Sequence, residues 1–544
     1  MDRLLPEVRA AEVEIDSAYK TNPLIHSEFA VAVWNVLGVI EDSLFIHSVK
    51  SQEMTAHKLS AAVDTYIYTL KHPLHWLRAA CPAGGRVPTS YNGDNYQAAT
   101  DLVKLAAQYD QFYLAFTYAS RGLIDLRIEG DTLVPTHDFL SQLQYEVYNR
   151  LAKPIGGTTS EETALKSERL HAKIGQALQI RGENFSINSN PKLVCSAMDY
   201  LQPLLEKRFL LPEEWKFSRY SLSDFRQVYN SILALAYIQY LARAQVAFLG
   251  CVGLGFSNCL FLPTKEELLN RVTRYAGLAP QVTSEVIHDL TLGSYNISPE
   301  RGDPALQPLI SLNCQRYAIA PFLWVHGSAE RNFISLMNKI PQEKSIYSRL
   351  VHQKEDLMRE RIKLNVQNTK LRAWSGRVAG RSDLPDVDLA LINDSEKVCI
   401  LLELKWFLDP AEAKEIIEKS EEIAKGISQL LRLKRAATEH YHPLFERLGI
   451  DQSYSFGFVL VSANWIGHAS VQNPDVAVIS EDHFIKKLSA TSNLCDVISW
   501  LTRRSYLPEE GKHYEVVRTS PRVSKWKMEW YGIRPLVDQT FMPV

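Results

Sequence analysis

Leu384-Pro385-Asp386-Val387-Asp388-Leu389-Ala390-Leu391, with Leu401-Leu402-Glu403-Leu404-Lys405-Trp406 beginning ten residues further on, decides how the rest of the chain is read. Both segments are apolar runs broken by charge. Side chains on a strand alternate between faces, so Glu403 and Lys405 share one side while Leu402, Leu404 and Trp406 pack on the other. Ionised groups on an otherwise buried strand are costly unless a partner or a metal compensates them. Asn393-Asp394-Ser395 forms the turn between the segments, and pairing about it brings Asp388 beside Glu403. Two carboxylates held together repel, and a hard divalent cation relieves that repulsion. Asp386 shares the strand face of Asp388. Asp388 is preferred as the functional residue because a hydrophobic pair follows it inside the strand, whereas Asp386 sits at the edge after Pro385.

Outward from this pair, the pattern alternates strands and helices. LRAWSGRVAG precedes the first segment as a strand, and KVCILLELKWF is the longest apolar strand. DPAEAKEIIEKSEEIAKGISQLLRLKRAATE reads as a long helix capped by Asp409, with Pro410 at its first position. SYSFGFVLVSANWIG is a strand buried on both faces, VAVIS a further strand, and EDHFIKKLSA a final helix. Upstream, RYAIAPFLWV reads as a strand and residues 327–366 as one long helical stretch. This order describes an α/β sandwich around a central mixed sheet.

Asp388, followed 15 residues later by Glu403-x-Lys405 with each element on an apolar strand, resembles the PD-(D/E)xK nuclease superfamily. Even the literal Pro-Asp is present, as Pro385-Asp386. The resemblance covers residues 315–510 and implies a restriction-endonuclease-like domain. By motif, Asp388 and Glu403 would be ligands of Mg²⁺, for which Mn²⁺ substitutes, with the Leu404 carbonyl as a further ligand. Lys405 would orient the attacking water and stabilise charge on the phosphate. Many members carry a Glu on the preceding helix, here Glu355 with Glu360 as the alternative. Many also carry a polar residue on the following helix, here Gln429, with Lys425 one turn earlier. Arg377, Arg381, Lys425, Arg432, Lys434 and Arg435 would contact nucleic acid, DNA before RNA. The function implied is Mg²⁺-dependent phosphodiester hydrolysis, with a prokaryotic restriction or anti-phage effector as the architectural analogy. The alternatives are a DNA-repair nuclease or an inactive binding module on the same fold.

The remaining 300 residues read as mainly helical. Residues 1–153 form one helical unit, and 154–300 a second or its continuation, with PIGGTTSEET as a linker. The nuclease-like domain spans 301–510, and 511–544 is a tail packed on it. In that tail, arginines and lysines interleave with Trp526, Trp530 and Tyr531, a mixture that suits either phosphates and unstacked bases or a solvated surface. A protein partner or a second copy would dock through the helical region. The net charge of −2 confines any nucleic-acid surface to a local patch. Seven widely spaced cysteines without CxxC argue for reduced, mostly buried thiols in a cytoplasmic protein. MDRLLPEVRAAEVEID has no apolar core of a signal peptide. The uncharged residues 244–264 have the length of a membrane span, but their polar residues and glycines fit a buried helical hairpin. His72 and His75 are three apart on a helix, yet Pro73 lies between them and no carboxylate is near in sequence, so they are read as structural. No GxSxG elbow or GxxxxGK[ST] loop occurs.

Overall fold

The computed structural model describes residues 4–537, apart from 51–55, 136–138, 152–160, 182–183, 207–210, 250–257, 295–301, 314, 368, 379–383, 411–412 and 492. Most of the expected linker at 154–163, the start of the expected boundary at 295–310 and the glycine run at 250–255 lie outside the described residues. The fold is mixed α/β: helices dominate from Pro6 to Leu290, and the main sheet lies beyond Leu371.

In the N-terminal region, α1 (Phe29–Lys50) and α2 (Gly93–Ser120) pack together. A hairpin follows them, β1 (Leu126–Glu129) and β2 (Thr132–Pro135), turned by Gly130 at φ 64° and Asp131. Asp131 and Gly130 suit a tight two-residue turn, where positive φ costs glycine nothing. α3 (Leu222–Phe248) begins with a capping box in which the Ser221 hydroxyl and the Asp224 carboxylate satisfy each other's backbone amides. Residues 250–257, where a second arm of the expected hairpin would begin, lie outside the described residues. Beyond them Phe261 is extended, and its amide donates to the Ile319 carbonyl at 3.0 Å. Among the described residues, the stretch with the length and composition to cross a membrane is Phe29–Ile46 in α1, and 78% of it is buried inside the protein.

RYAIAPFLWV is only partly a strand. Tyr317–Ile319 pairs with Leu309–Ser311, and Pro321 then starts a short helix, Pro321–His326. The stretch 327–366 is likewise two helices, Ala329–Lys339 and α4 (Pro341–Val366), because Pro341 occupies the first turn of a new helix.

The main sheet has five strands: β3 (Arg372–Gly376), β4 (Val387–Asn393), β5 (Val398–Lys405), β6 (Ser455–Ser462) and β7 (Ala477–Ser480). Their spatial order is β7-β6-β5-β4-β3. β3, β4 and β5 form an antiparallel meander, while β6 and β7 run parallel to β5. The β4–β5 turn is built by Asn393, whose Oδ1 accepts from the Ser395 and Glu396 amides, and by Lys397 at φ 56°. A parallel β5–β6 pair needs a crossover, and α5 (Ala413–Thr438) begins it. The described part of α5 starts at Ala413, so Asp409 and Pro410 lie outside the described helix. The Asp409 carbonyl instead accepts from Arg331 Nε at 2.8 Å. α5 packs across β5 and β6 on one face. The helix Leu494–Thr502 lies on the other, where Ile498 meets Gly457 of β6. α6 (Glu481–Ala490) is therefore not the final helix.

The C-terminal tail does not simply cap this sheet. β8 (Trp526–Met528) pairs parallel with β2, extending the N-terminal hairpin. Trp526 and Trp530 are buried, and the Trp526 indole donates to Glu14 at 2.9 Å. Lys525 pairs with Glu14 and Arg534 with Glu515, so the aromatics belong to the core and several of the cations are already neutralised. One connected cluster of buried apolar side chains runs from Val8 to Trp530. Helical region, sheet and tail share that core. Among the described cysteines, Cys259 and Cys399 are buried, whereas Cys195 and Cys495 are exposed.

Candidate active site

The β4–β5 ladder extends from Asn393↔Val398 to Leu389↔Leu402 and then stops. The next antiparallel positions are Asp388 and Glu403, so the two carboxylates stand opposite each other on one face where the strands part. Asp388 turns its carboxylate into the opening. Its Oδ2 accepts from the Leu404 amide at 2.8 Å, in place of a ladder bond. Asp386, by contrast, lies before the strand, with its side chain 67% exposed and Arg377 at 3.9 Å.

Glu403 is buried, with a relative exposure of 3%. Lys405, two residues on and on the same face, reaches its Oε1 with Nζ at 2.7 Å. Burial pushes the Glu403 carboxyl up to about 7, and Asp388 and Glu355 add to the shift while Lys405 opposes it. Burial also raises Asp388, against the Leu404 amide, Lys405 and Arg359. For Lys405 burial works the other way, but Glu403, Glu355 and Asp388 outweigh it and hold the ammonium charged. The site thus gathers three carboxylates around Lys405, and burial raises each of them.

α4 contributes Glu355. The Trp406 amide, at the end of β5, donates to its Oε1 at 3.5 Å, and burial raises its carboxyl. Glu360 is not at the site: it is exposed and pairs with Lys363 at 2.9 Å. α5 contributes Gly426. A Cβ there would stand 2.7 Å from Leu460 Cδ1, 3.2 Å from Glu403 Cγ and 3.4 Å from Lys405 Cε. Only glycine lets the helix backbone approach the pair so closely. The sequence reading missed it, since a lone glycine inside a helix has many causes.

Gln429 lies half-buried, one turn beyond Gly426 on α5. Lys425 does not join the site. It is exposed and pairs with Glu422 at 2.6 Å. Arg432, Lys434 and Arg435 lie further along α5, which at roughly 1.5 Å per residue carries them about 9 Å or more from Gly426. Lys434 pairs with Asp475 at 2.7 Å, before β7 begins. That contact sets Lys434 toward the opposite end of the sheet from Glu403. Arg377 is 79% exposed beside the β3–β4 connection, and Arg381 lies outside the described residues.

His72 and His75 do not converge on one point. His72 Nε2 bonds Asp110 at 2.8 Å, a carboxylate from a distant helix that local sequence could not reveal, and His75 Nε2 bonds the Gly302 carbonyl at 2.6 Å. Among the described residues no group of three or more His, Cys, Asp and Glu side chains is placed to hold a metal by itself. No family model matches the chain, and no curated protein or solved structure does so either.

Proposed function

We propose that this protein is a Mg²⁺-dependent nuclease that hydrolyses phosphodiester bonds, with DNA as the expected substrate, on a restriction-endonuclease-like sheet. The observation that carries the reading is the opposition of Asp388 and Glu403 at the parting of β4 and β5, with Lys405 on Glu403. The donor set suits Mg²⁺, a hard cation that is often bound through one or two carboxylates and keeps several waters, so a protein cage of three ligands is not required. Asp388 and Glu403 would hold it. When bound, such an ion polarises the phosphate and acidifies a water. Lys405 presents an ammonium beside that position, where it orients the nucleophile and stabilises charge developing on the phosphate. Glu355 braces the β5 end through the Trp406 amide and keeps Lys405 protonated.

The test is cutting of supercoiled and linear duplex DNA by the full chain. Cutting is expected with Mg²⁺ or Mn²⁺ and absent with chelator. Glu403 titrates near 7 without metal, and a ligand must be ionised to bind. Below that pH the proton competes, so the Mg²⁺ concentration for half-maximal rate should rise as pH falls from 8 to 6. A metal-independent rate contradicts the reading.

Gly426→Ala tests the helix–strand approach. Helix propensity favours Ala by about 1 kcal/mol, and crowding of Leu460 and Glu403 costs about 1–3 kcal/mol, so the net loss of stability is about 0–2 kcal/mol. Displacement of Glu403 and Lys405 should nevertheless lower kcat by roughly 10²-fold. Full activity with an unchanged melting temperature would show that the pair tolerates the shift.

A further inference from the structure

We propose that Arg359 is a further residue of this site, its guanidinium held ready for the non-bridging oxygens of the phosphodiester; this rests on the nuclease reading above. Arg359 lies four residues after Glu355 on α4, which places both on one helix face. Glu355 reaches the end of β5, α4 packs against that strand, and Arg359 stands one turn further along the same helix face. The side chain is 27% exposed, yet its Nε is fully buried and has no hydrogen-bond partner. Buried donors in native proteins are nearly always satisfied, so an orphan beside carboxylates calls for a reason.

Neutralising Asp388 is not a sufficient reason. Among the described residues Arg359 makes no ion pair with Asp388, whose Oδ2 is spent on the Leu404 amide. Its carboxylate partner is Asp356, met by Nη1 at 3.0 Å, and that side chain is 63% exposed to water. The rest of the fork is left for another acceptor. Charge points to which. With the water-exposed Asp356 and Asp386 left aside, Asp388, Glu403 and Glu355 face Lys405 and Arg359, which leaves one negative charge when all are ionised. A divalent cation reverses the sign, and a phosphodiester then brings the site to neutrality. Without Arg359 the metal-loaded site would have no net attraction for the phosphate. A planar guanidinium also suits two phosphate oxygens at once, which an ammonium does not.

The test uses the full chain with Arg359→Gln and Arg359→Lys. Steady-state cutting of linear duplex DNA is measured with Mg²⁺, and binding to the same duplex is measured with Ca²⁺ replacing Mg²⁺ to hold it uncut. Arg359→Gln should lose about 10²–10³-fold in kcat/KM. The slope of log affinity against log salt should flatten by about one phosphate contact. Arg359→Lys should restore part of the binding and little of kcat. A purely structural role would lower the melting temperature and leave the salt slope alone. If Arg359→Gln fails to fold, Arg359→Lys decides: a wild-type kcat in that variant overturns the inference. Wild-type cutting and an unchanged salt slope in Arg359→Gln overturn it too, and leave the nuclease reading standing. No cutting by the wild-type chain overturns both.

Discussion

Glu403→Gln should abolish cutting, by roughly 10³-fold or more, while the chain stays folded. The substitution preserves shape and leaves an amide oxygen to accept from Lys405, whose Nζ lies 2.7 Å from Glu403 Oε1. It removes the charge that makes the position useful. Burial holds the wild-type carboxyl up at about 7. A carboxyl with a raised folded pKa adds stability that is fully present below its unfolded value near 4.5, and that stability fades as pH rises through about 7. The neutral amide never incurs that loss. At pH 8 without metal, Glu403→Gln should therefore melt no lower than wild type. With Mg²⁺ added, only wild type should gain, because a ligand stabilises the state that binds it. Melting curves with and without Mg²⁺, run beside the cutting assay, separate these effects. A folded Glu403→Gln that cuts at the wild-type rate would remove this carboxylate from the chemistry.

The second large effect is on stability and lies far from the sheet. Arg243→Met should destabilise the chain by about 3–5 kcal/mol. Arg243, on α3, is 4% exposed. It pairs with the buried Asp42 of α1 and donates to the Glu41 carbonyl at 3.3 Å, with its guanidinium 4.4 Å from the Phe45 ring centre. Asp42 also accepts from the Tyr96 hydroxyl at 3.1 Å, which joins α2 to the cluster. Next to it the Glu41 carboxyl, pushed up to about 8 by burial, accepts from the Phe322 amide at 2.8 Å in the helix that leads toward α4. Methionine fills the stem's space but leaves Asp42 buried without its cation, and removing one partner costs far more than removing both. Asp42→Asn in the same chain should recover much of the loss. The urea midpoint of the singles and the double reads this directly. A single-variant shift below about 1 kcal/mol would mean that water reaches Asp42 and replaces the arginine.

What could be read from sequence was what local periodicity and one turn determine. The alternation around Glu403 and Lys405, together with a turn at Asn393, was enough to place Asp388 opposite Glu403. Between Glu355 and Glu360 the sequence left the choice open, and only the packing of α4 on β5 sets Glu355 against the Trp406 amide while Glu360 pairs with Lys363 in solvent. Short apolar runs were ambiguous, as RYAIAPFLWV illustrates: Pro321 converts its second half into a helix, and the run carries no period to say so. Contacts between distant segments left no local mark. β8 pairs with β2 across nearly 400 residues of chain, so Trp526 and Trp530 read as surface aromatics although they are core. The same holds for Asp110 beside His72. Among the basic residues of α5, Lys425 and Lys434 have carboxylate partners, Glu422 and Asp475, that linear sequence did not single out. Gly426 and Arg359 became visible only once a helix face was laid against a strand.

Phosphodiester hydrolysis at this site requires Asp388 and Glu403 to share one hard cation. Crystals soaked in Mn²⁺ and measured for anomalous scattering test this most directly. The predicted result is a single strong peak between β4 and β5, about 2.0–2.3 Å from an oxygen of each carboxylate, that is lost in Asp388→Asn. A soak that gives no peak there, or one that touches neither carboxylate, would contradict it.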